Sequence, residues 1–197
     1  RGERGIHGGS RMTGYSILIS PLADTVTLAD GTVLAIRTDF RVGLLVSVIL
    51  SDPTLCPASK RRLALRLYYE ELPEGADPDA LFDAAMSFYR RNRGDGANPA
   101  GRATVREPIL DFIVDGDRIY GAFYAAYGID LCAARLHWWQ FLALLVSLPR
   151  DSAFMRAVAL RCVDPGEIAD DAARKRLRMA KARVRIRRRT DRGEETE

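Results

Sequence analysis

Apolar residues recur along this chain in two different periods. In DTVTLADGTVLAI, residues 24 to 36, Val26 and Leu28 alternate with threonine, and Val33 to Ile36 reads as a return strand. Asp30-Gly31 between them suits the positive φ of a type I′ turn, so a short β-hairpin is predicted. From Asp39 onward the period is helical. Asp39 caps FRVGLLVSVILSD, which Pro53 ends, and Leu63, Leu67 and Tyr68 make one face of a helix over 58 to 71. Pro78 starts the next, with Leu81, Phe82, Ala85, Met86 and Tyr89 on its apolar side. Residues 92 to 108, NRGDGANPAGRATVREP, break every pattern and read as a flexible loop.

Order resumes at residue 111. Asp115-Gly116 reads as a turn and Asp117 as a cap, and Ile119, Tyr120, Phe123 and Tyr127 share a face before Gly128 ends the helix. Asp130 is expected to cap the following helix, which carries LHWWQFLALLVSL, and a helix over SAFMRAVALRC comes next. A charged helix, IADDAARKRLRMAKARVRIRRR, closes the chain. The predicted fold is mainly α: a compact multi-helix bundle of about six helices with a short N-terminal β-hairpin and a basic C-terminal helix. Residues 12 to 168 form the helical domain, and 169 to 197 the basic helix and tail.

The stretch from Leu136 to Leu148 is apolar at ten of thirteen positions. Placed on one helix, His137, Gln140, Leu144 and Ser147 fall on a narrow stripe, and everything else asks for burial. A membrane span needs roughly 20 apolar residues. Pro149 and Arg150 stop this one well short, so no membrane segment is predicted. The helix is either central to the bundle or faces a partner or second copy on one side.

Composition changes the picture little. An apolar content of 47% over 197 residues is enough for a core. Cys56, Cys132 and Cys162 are odd in number and lie outside any CxxC spacing, which fits a reducing compartment with neither a disulfide framework nor a zinc cage. RGERGIHGGSR, residues 1 to 11, reads as a leader or remnant ahead of Met12 with no apolar core of a signal peptide. Charge is more informative. Residues 174 to 197 hold 11 cationic and 4 acidic side chains, or +7, which leaves −3 of the total +4 for the rest.

Candidate chemistry is sparse. His137 is the sole histidine after Met12, and no nucleophile frame surrounds it. With Cys132 and Cys162 it has no recognised metal spacing, and an imidazole beside a Trp pair is more often structural. GDGANPAG lacks the GK[ST] end of a phosphate loop, and Asp111, Asp115 and Asp117 lack the EF-hand pattern. No catalytic residue, metal or cofactor is predicted, and the chain reads as no enzyme. The tail is a closer contest. Arg174, Lys175, Arg176, Arg178, Lys181, Arg183 and Arg185 could neutralise phosphates with strong salt dependence. Leu177, Ala180 and Val184 recur at i, i+3, i+7, which points to docking on protein, so nucleic acid ranks below protein as a partner.

IYGAFYAAYGIDL (119 to 131), LHWWQFLALLVSLP (136 to 149), FMRAVALRCVDPGEI (154 to 168) and the helix containing RKRLRMAK (174 to 181) together resemble the gene-product-15 family of siphophage tail modules. The extremities of the chain depart from that pattern. The resemblance implies bacteriophage tail morphogenesis in the host cytoplasm: a tail-assembly chaperone that coats the tape-measure protein, helps recruit tail-tube protein, and is absent from the mature virion. Alternatives are a basic-tailed nucleic-acid-binding protein and a structural tail or connector component. Coating a tape-measure helix needs apolar grooves between helices. Tyr120, Phe123, Tyr124, Trp138, Trp139 and Phe141 are the candidate groove residues, in competition with a plain core role. Trp138→Ala and Trp139→Ala are expected to differ, a buried ring costing about 3–5 kcal/mol of stability and a groove-facing one costing partner binding instead; equal large losses would mark both as core.

Overall fold

A computed structural model describes residues 17–18, 20–91 and 109–186. The predicted leader, the 92–108 loop and the end of the tail beyond 186 lie outside the described residues. Within them are one hairpin, seven α-helices and a short 3-10 turn, Pro165–Glu167. The mainly α fold is as expected.

The hairpin pairs β1 (Thr25–Thr27) with β2 (Val33–Ala35) antiparallel, Thr27 opposite Val33. Its loop is not the expected type I′ turn. Only Gly31 has positive φ, at 88°, and Leu28 N–H reaches Thr32 O while Asp30 Oδ1 accepts from Thr32 N–H. That is the three-residue loop closed by a left-handed glycine, which needs one positive φ and so spares Asp30 the strain of a second.

Helix α1 (Phe40–Ser51) starts at Asp39, whose carboxylate accepts Arg41 N–H at 2.8 Å. Helix α2 (Pro57–Tyr68) has proline at its first position, and α3 (Pro78–Tyr89) has proline behind an Asp77 cap. Helix α4 (Gly116–Tyr127) ends at Gly128 in the left-handed region, φ 66°, as its sequence predicts. Its N-cap is Asp115; Asp117, the expected cap, lies in the first turn.

The largest departure is at α5, which spans only Trp138–Val146. Asp130 opens a single turn, accepting Cys132 N–H on its carboxylate and Ala133 and Ala134 N–H on its carbonyl, and no helix follows. Two tertiary demands explain why. The Arg41 guanidinium takes the carbonyls of Leu131, Cys132 and Ala134, and its carbon sits 4.6 Å above the Phe40 ring. The next residues are held extended, because Asp39 and His137 form an isolated antiparallel bridge in which Trp138 N–H donates to Thr38 O and Phe40 N–H to Leu136 O. His137 therefore caps α5 instead of lying within it. Its Nδ1 accepts Trp139 N–H, and Gln140 Oε1 accepts His137 N–H, a capping box.

This bridge starts α1 and α5 side by side, and the core forms around their contact. Phe141 stacks on Phe40 (5.0 Å), Phe123 (5.2 Å) and Trp138 (5.9 Å). Trp138 lies flat on the backbone of Gly43, where an added Cβ would stand 2.3 Å from the indole. A glycine in mid-helix is weak in propensity, and here it is required by the close approach of a ring. Helix α6 (Ala153–Cys162), capped by Ser152, packs on α4, and α7 (Asp171–Val184), capped by Asp170, packs on α6. Helix α7 stops at Val184, and the Leu177, Ala180 and Val184 stripe is half-buried on its inner side.

Candidate interaction surface

The six aromatic groove candidates separate into two groups. Phe123, Trp138, Trp139 and Phe141 are interior, with both tryptophans 2% exposed. Each indole N–H is used inside the fold: Trp138 Nε1 donates to Tyr89 O at 2.9 Å and Trp139 Nε1 to Phe88 O at 2.8 Å. These bonds carry α5 onto the last turn of α3 and leave neither ring a free polar edge.

Tyr120 and Tyr124 are on the surface, 38% and 59% exposed. They stand one turn apart on α4 with ring centroids 6.4 Å from each other and planes 16° apart. Their inward neighbours, Ile119, Ala122 and Phe123, hold α4 to the core, so the helix face presenting the tyrosines is fixed from behind. A hollow lies on either side of the pair. One, of about 460 Å³, runs between Gly121, Ala122, Ala125 and Ala126 of α4 and the Pro149–Ala153 turn, with Asp117, Arg118 and Asp151 at its rim. The other, of about 260 Å³, is lined by Phe40, Leu44, Phe112, Tyr120, Leu131 and Phe141 among others. Small residues at 121, 125 and 126 let an approaching chain come close to the α4 backbone. The negative charge of Asp130 raises the Tyr120 phenol above its ordinary value, so this surface stays uncharged on the tyrosine side.

His137 is structural in this geometry. Nδ1 accepts Trp139 N–H, so the ring is neutral with its proton on Nε2, which donates to Ala23 O at 2.9 Å. Burial lowers its pKa, the Ala23 carbonyl opposes that, and the charge of Arg91 lowers it further. Because the folded protein favours neutral imidazole, the cap's contribution is fully present above the ordinary value of 6.5 and declines as pH falls below it. His137→Ala is expected to lose about 1 kcal/mol at neutral pH. It should also flatten the fall in stability between pH 7.5 and 5.5, as read by urea unfolding at both pH values.

The strongest electrostatic feature is one that the sequence reading divided between a turn and a rejected calcium site. Asp115 is fully buried and receives a two-pronged bond from Arg161, at 2.6 and 2.8 Å. Arg161 also donates to Ile109 O and, through Nε, to Val184 O, while Arg118 reaches Asp115 at 3.1 Å. The end of α7, the start of α4 and the entry at residue 109 are thus tied to one guanidinium on α6. Burial raises the Asp115 carboxyl, but the Arg161 bond, the Asp111 N–H and the Arg161 and Arg118 charges outweigh it and hold the group below its ordinary value. Arg161, one of two arginines in the otherwise apolar FMRAVALRC, is the available signal; its partner lies 46 residues away.

The basic residues also separate by role. Lys181 donates to the carbonyls of Arg161 and Val163, ending α6, and Arg174 holds Ile168 O and Ala169 O. Lys175, Arg176, Arg178, Arg183 and Arg185 are exposed. Among the described residues no helix is long and apolar enough to cross a membrane, and no group of three or more His, Cys, Asp or Glu is placed to hold a metal ion.

Residues 18–186 match the family Bacteriophage Gp15 protein. The chain belongs to that family. The matched span runs from the hairpin to the last described residue, so it includes the tyrosine face, the Asp115–Arg161 clamp and α7. It places the chain among phage structural and morphogenesis proteins, not in a known enzyme family. No curated protein and no solved structure matches the chain.

Proposed function

We propose that this Gp15-family protein is a tail-assembly chaperone that binds the phage tape-measure protein in the host cytoplasm, helps recruit tail-tube subunits, and leaves before the virion matures. One observation carries the reading: a rigidly backed α4 exposes stacked Tyr120 and Tyr124 between two hollows, within the span matched to the family. Four residues of helix rise about 6 Å. A tape-measure helix laid along α4 would therefore meet the two rings with apolar side chains one turn apart and seat the neighbouring ones in the hollows. Tyrosines suit such a site because they supply large contact area with few rotatable bonds. Phe123, Trp138, Trp139 and Phe141 serve it from inside, by fixing α4 and α5.

Co-expression with the phage's tape-measure protein tests the proposal. The wild-type chain should raise tape-measure solubility and co-purify with it. The Tyr120→Ala/Tyr124→Ala variant, unchanged in fold because both rings are exposed, should lose at least about tenfold in affinity, as expected when aromatic anchors are truncated. Failure of the wild type to co-purify or solubilise would remove the chaperone reading, and fixed copy number in purified virions would replace it with a structural tail role.

A further inference from the structure

The surface carries two strongly charged regions of opposite sign. Between Arg66 and Arg90 lie six acids, Glu70, Glu71, Glu74, Asp77, Asp79 and Asp83, and no cation; all six are exposed. Asp79 pairs with Arg61 and the Asp77 carboxylate caps α3, which leaves Glu70, Glu71, Glu74 and Asp83 without a cation partner among the described residues. From Arg174 to Arg185 there are seven cations and no acid. Lys175, Arg176, Arg178 and Arg183 have no acid partner among the described residues, and no ion pair there joins the two regions.

The outer face of α7 has an order suited to a protein. Arg176 and Arg183, seven residues apart, line one flank; Arg178 and Arg185 line the other; Lys175, Met179 and Ala182 run between them. Met179 is 57% exposed between the two cationic flanks, and Leu72, which stands between Glu71 and Glu74 in the chain, is 46% exposed. A phosphate backbone has no use for an exposed thioether. An apolar contact ringed by opposite charges is the ordinary anatomy of a protein interface.

We propose that copies of this chain associate head to tail, the outer face of α7 on one copy docking against the Glu70–Asp83 surface of the next. Two outer faces of α7 cannot pair with each other, since that would set five exposed cations, Lys175, Arg176, Arg178, Arg183 and Arg185, against five. The contact is therefore heterologous and builds a ring or an open chain according to the rotation between copies. It is independent of tape-measure binding, which uses α4.

Sedimentation velocity on the full chain, treated with nuclease, tests this. The wild type should associate at low salt and weaken about tenfold or more toward 1 M, where the Debye length shrinks to about 3 Å. Arg176→Glu/Arg178→Glu/Arg183→Glu should be monomeric, as should Glu70→Lys/Glu71→Lys/Glu74→Lys, with unchanged circular dichroism because all six positions are exposed. Mixing the two variants should restore assembly, because each supplies the charges the other now needs. A wild type that stays monomeric, association indifferent to salt, or a mixture that stays monomeric would each overturn the proposal. Assembly that disappears on nuclease treatment would overturn it in favour of nucleic-acid binding.

Discussion

Arg161→Ala is expected to cost about 3–5 kcal/mol of folding stability, because it removes the two-pronged partner of a fully buried carboxylate and leaves Asp115 with only Arg118 as a cation beside it. The Ile109 and Val184 carbonyls lose their donor at the same time, so the last turn of α7 should fray first. Urea unfolding measures the loss, and hydrogen exchange in α7 locates it. Arg161→Lys should recover only part, since a lysine delivers one point charge where the guanidinium makes a fork to the carboxylate and still reaches two carbonyls. Asp115→Asn should be milder than Arg161→Ala, because an amide keeps one acceptor. The pH dependence follows the same pair. Asp115 titrates below its ordinary value in the folded protein, so its stabilisation is complete above about pH 4. It is lost as pH falls through the lower folded value. The wild type should lose stability steeply in that acid range, and Asp115→Asn should show a shallower loss.

Trp138→Ala and Trp139→Ala are expected to lose comparable amounts, about 3–5 kcal/mol each. Both rings are interior and both indole N–H groups hold carbonyls at the end of α3, so each truncation leaves a cavity and an unpaired acceptor. Gly43→Ala approaches the same contact from the other side. Its new methyl would meet the Trp138 ring at 2.3 Å, and moving an indole held on its far edge by Tyr89 should cost at least about 1–3 kcal/mol. The two positions should be strongly coupled. In the Trp138→Ala background the Gly43 methyl has room, so the double variant should be more stable than the sum of the singles implies, by 0.5–3 kcal/mol as is typical of contacting residues. Additive losses in thermal unfolding would mean that the backbone of α1, rather than the ring, yields to the methyl.

The helical periods, the proline start at Pro78 and the glycine stop at Gly128 were all legible because each is local. A capping aspartate or left-handed glycine acts within one turn of itself. What misled was equally physical. LCAARLH looked helical on apolar content, yet Arg41, about 90 residues earlier, takes its carbonyls, and the bridge to Asp39 keeps its end extended. Of the candidate surface, Tyr120 and Tyr124 were named beside four residues that prove interior. Helical spacing alone could not separate them, because a helix with apolar residues on most of its circumference does not say which side meets the core.

By itself, then, the sequence determined the mainly α class, the N-terminal hairpin, most element starts and stops, the charge division between body and tail, and the motif set that marks the Gp15 family. Only the tertiary structure decided that His137 is a cap, that the Trp pair is core, that Asp115 and Arg161 are one buried unit, and that α4 shows its tyrosines to solvent. The reason is range: propensity, capping and periodicity act over a few residues and can be read along the chain. Burial and long-range pairing depend on which distant segments arrive, and Asp39 with His137 or Asp115 with Arg161 have no mark of one another in their local sequence.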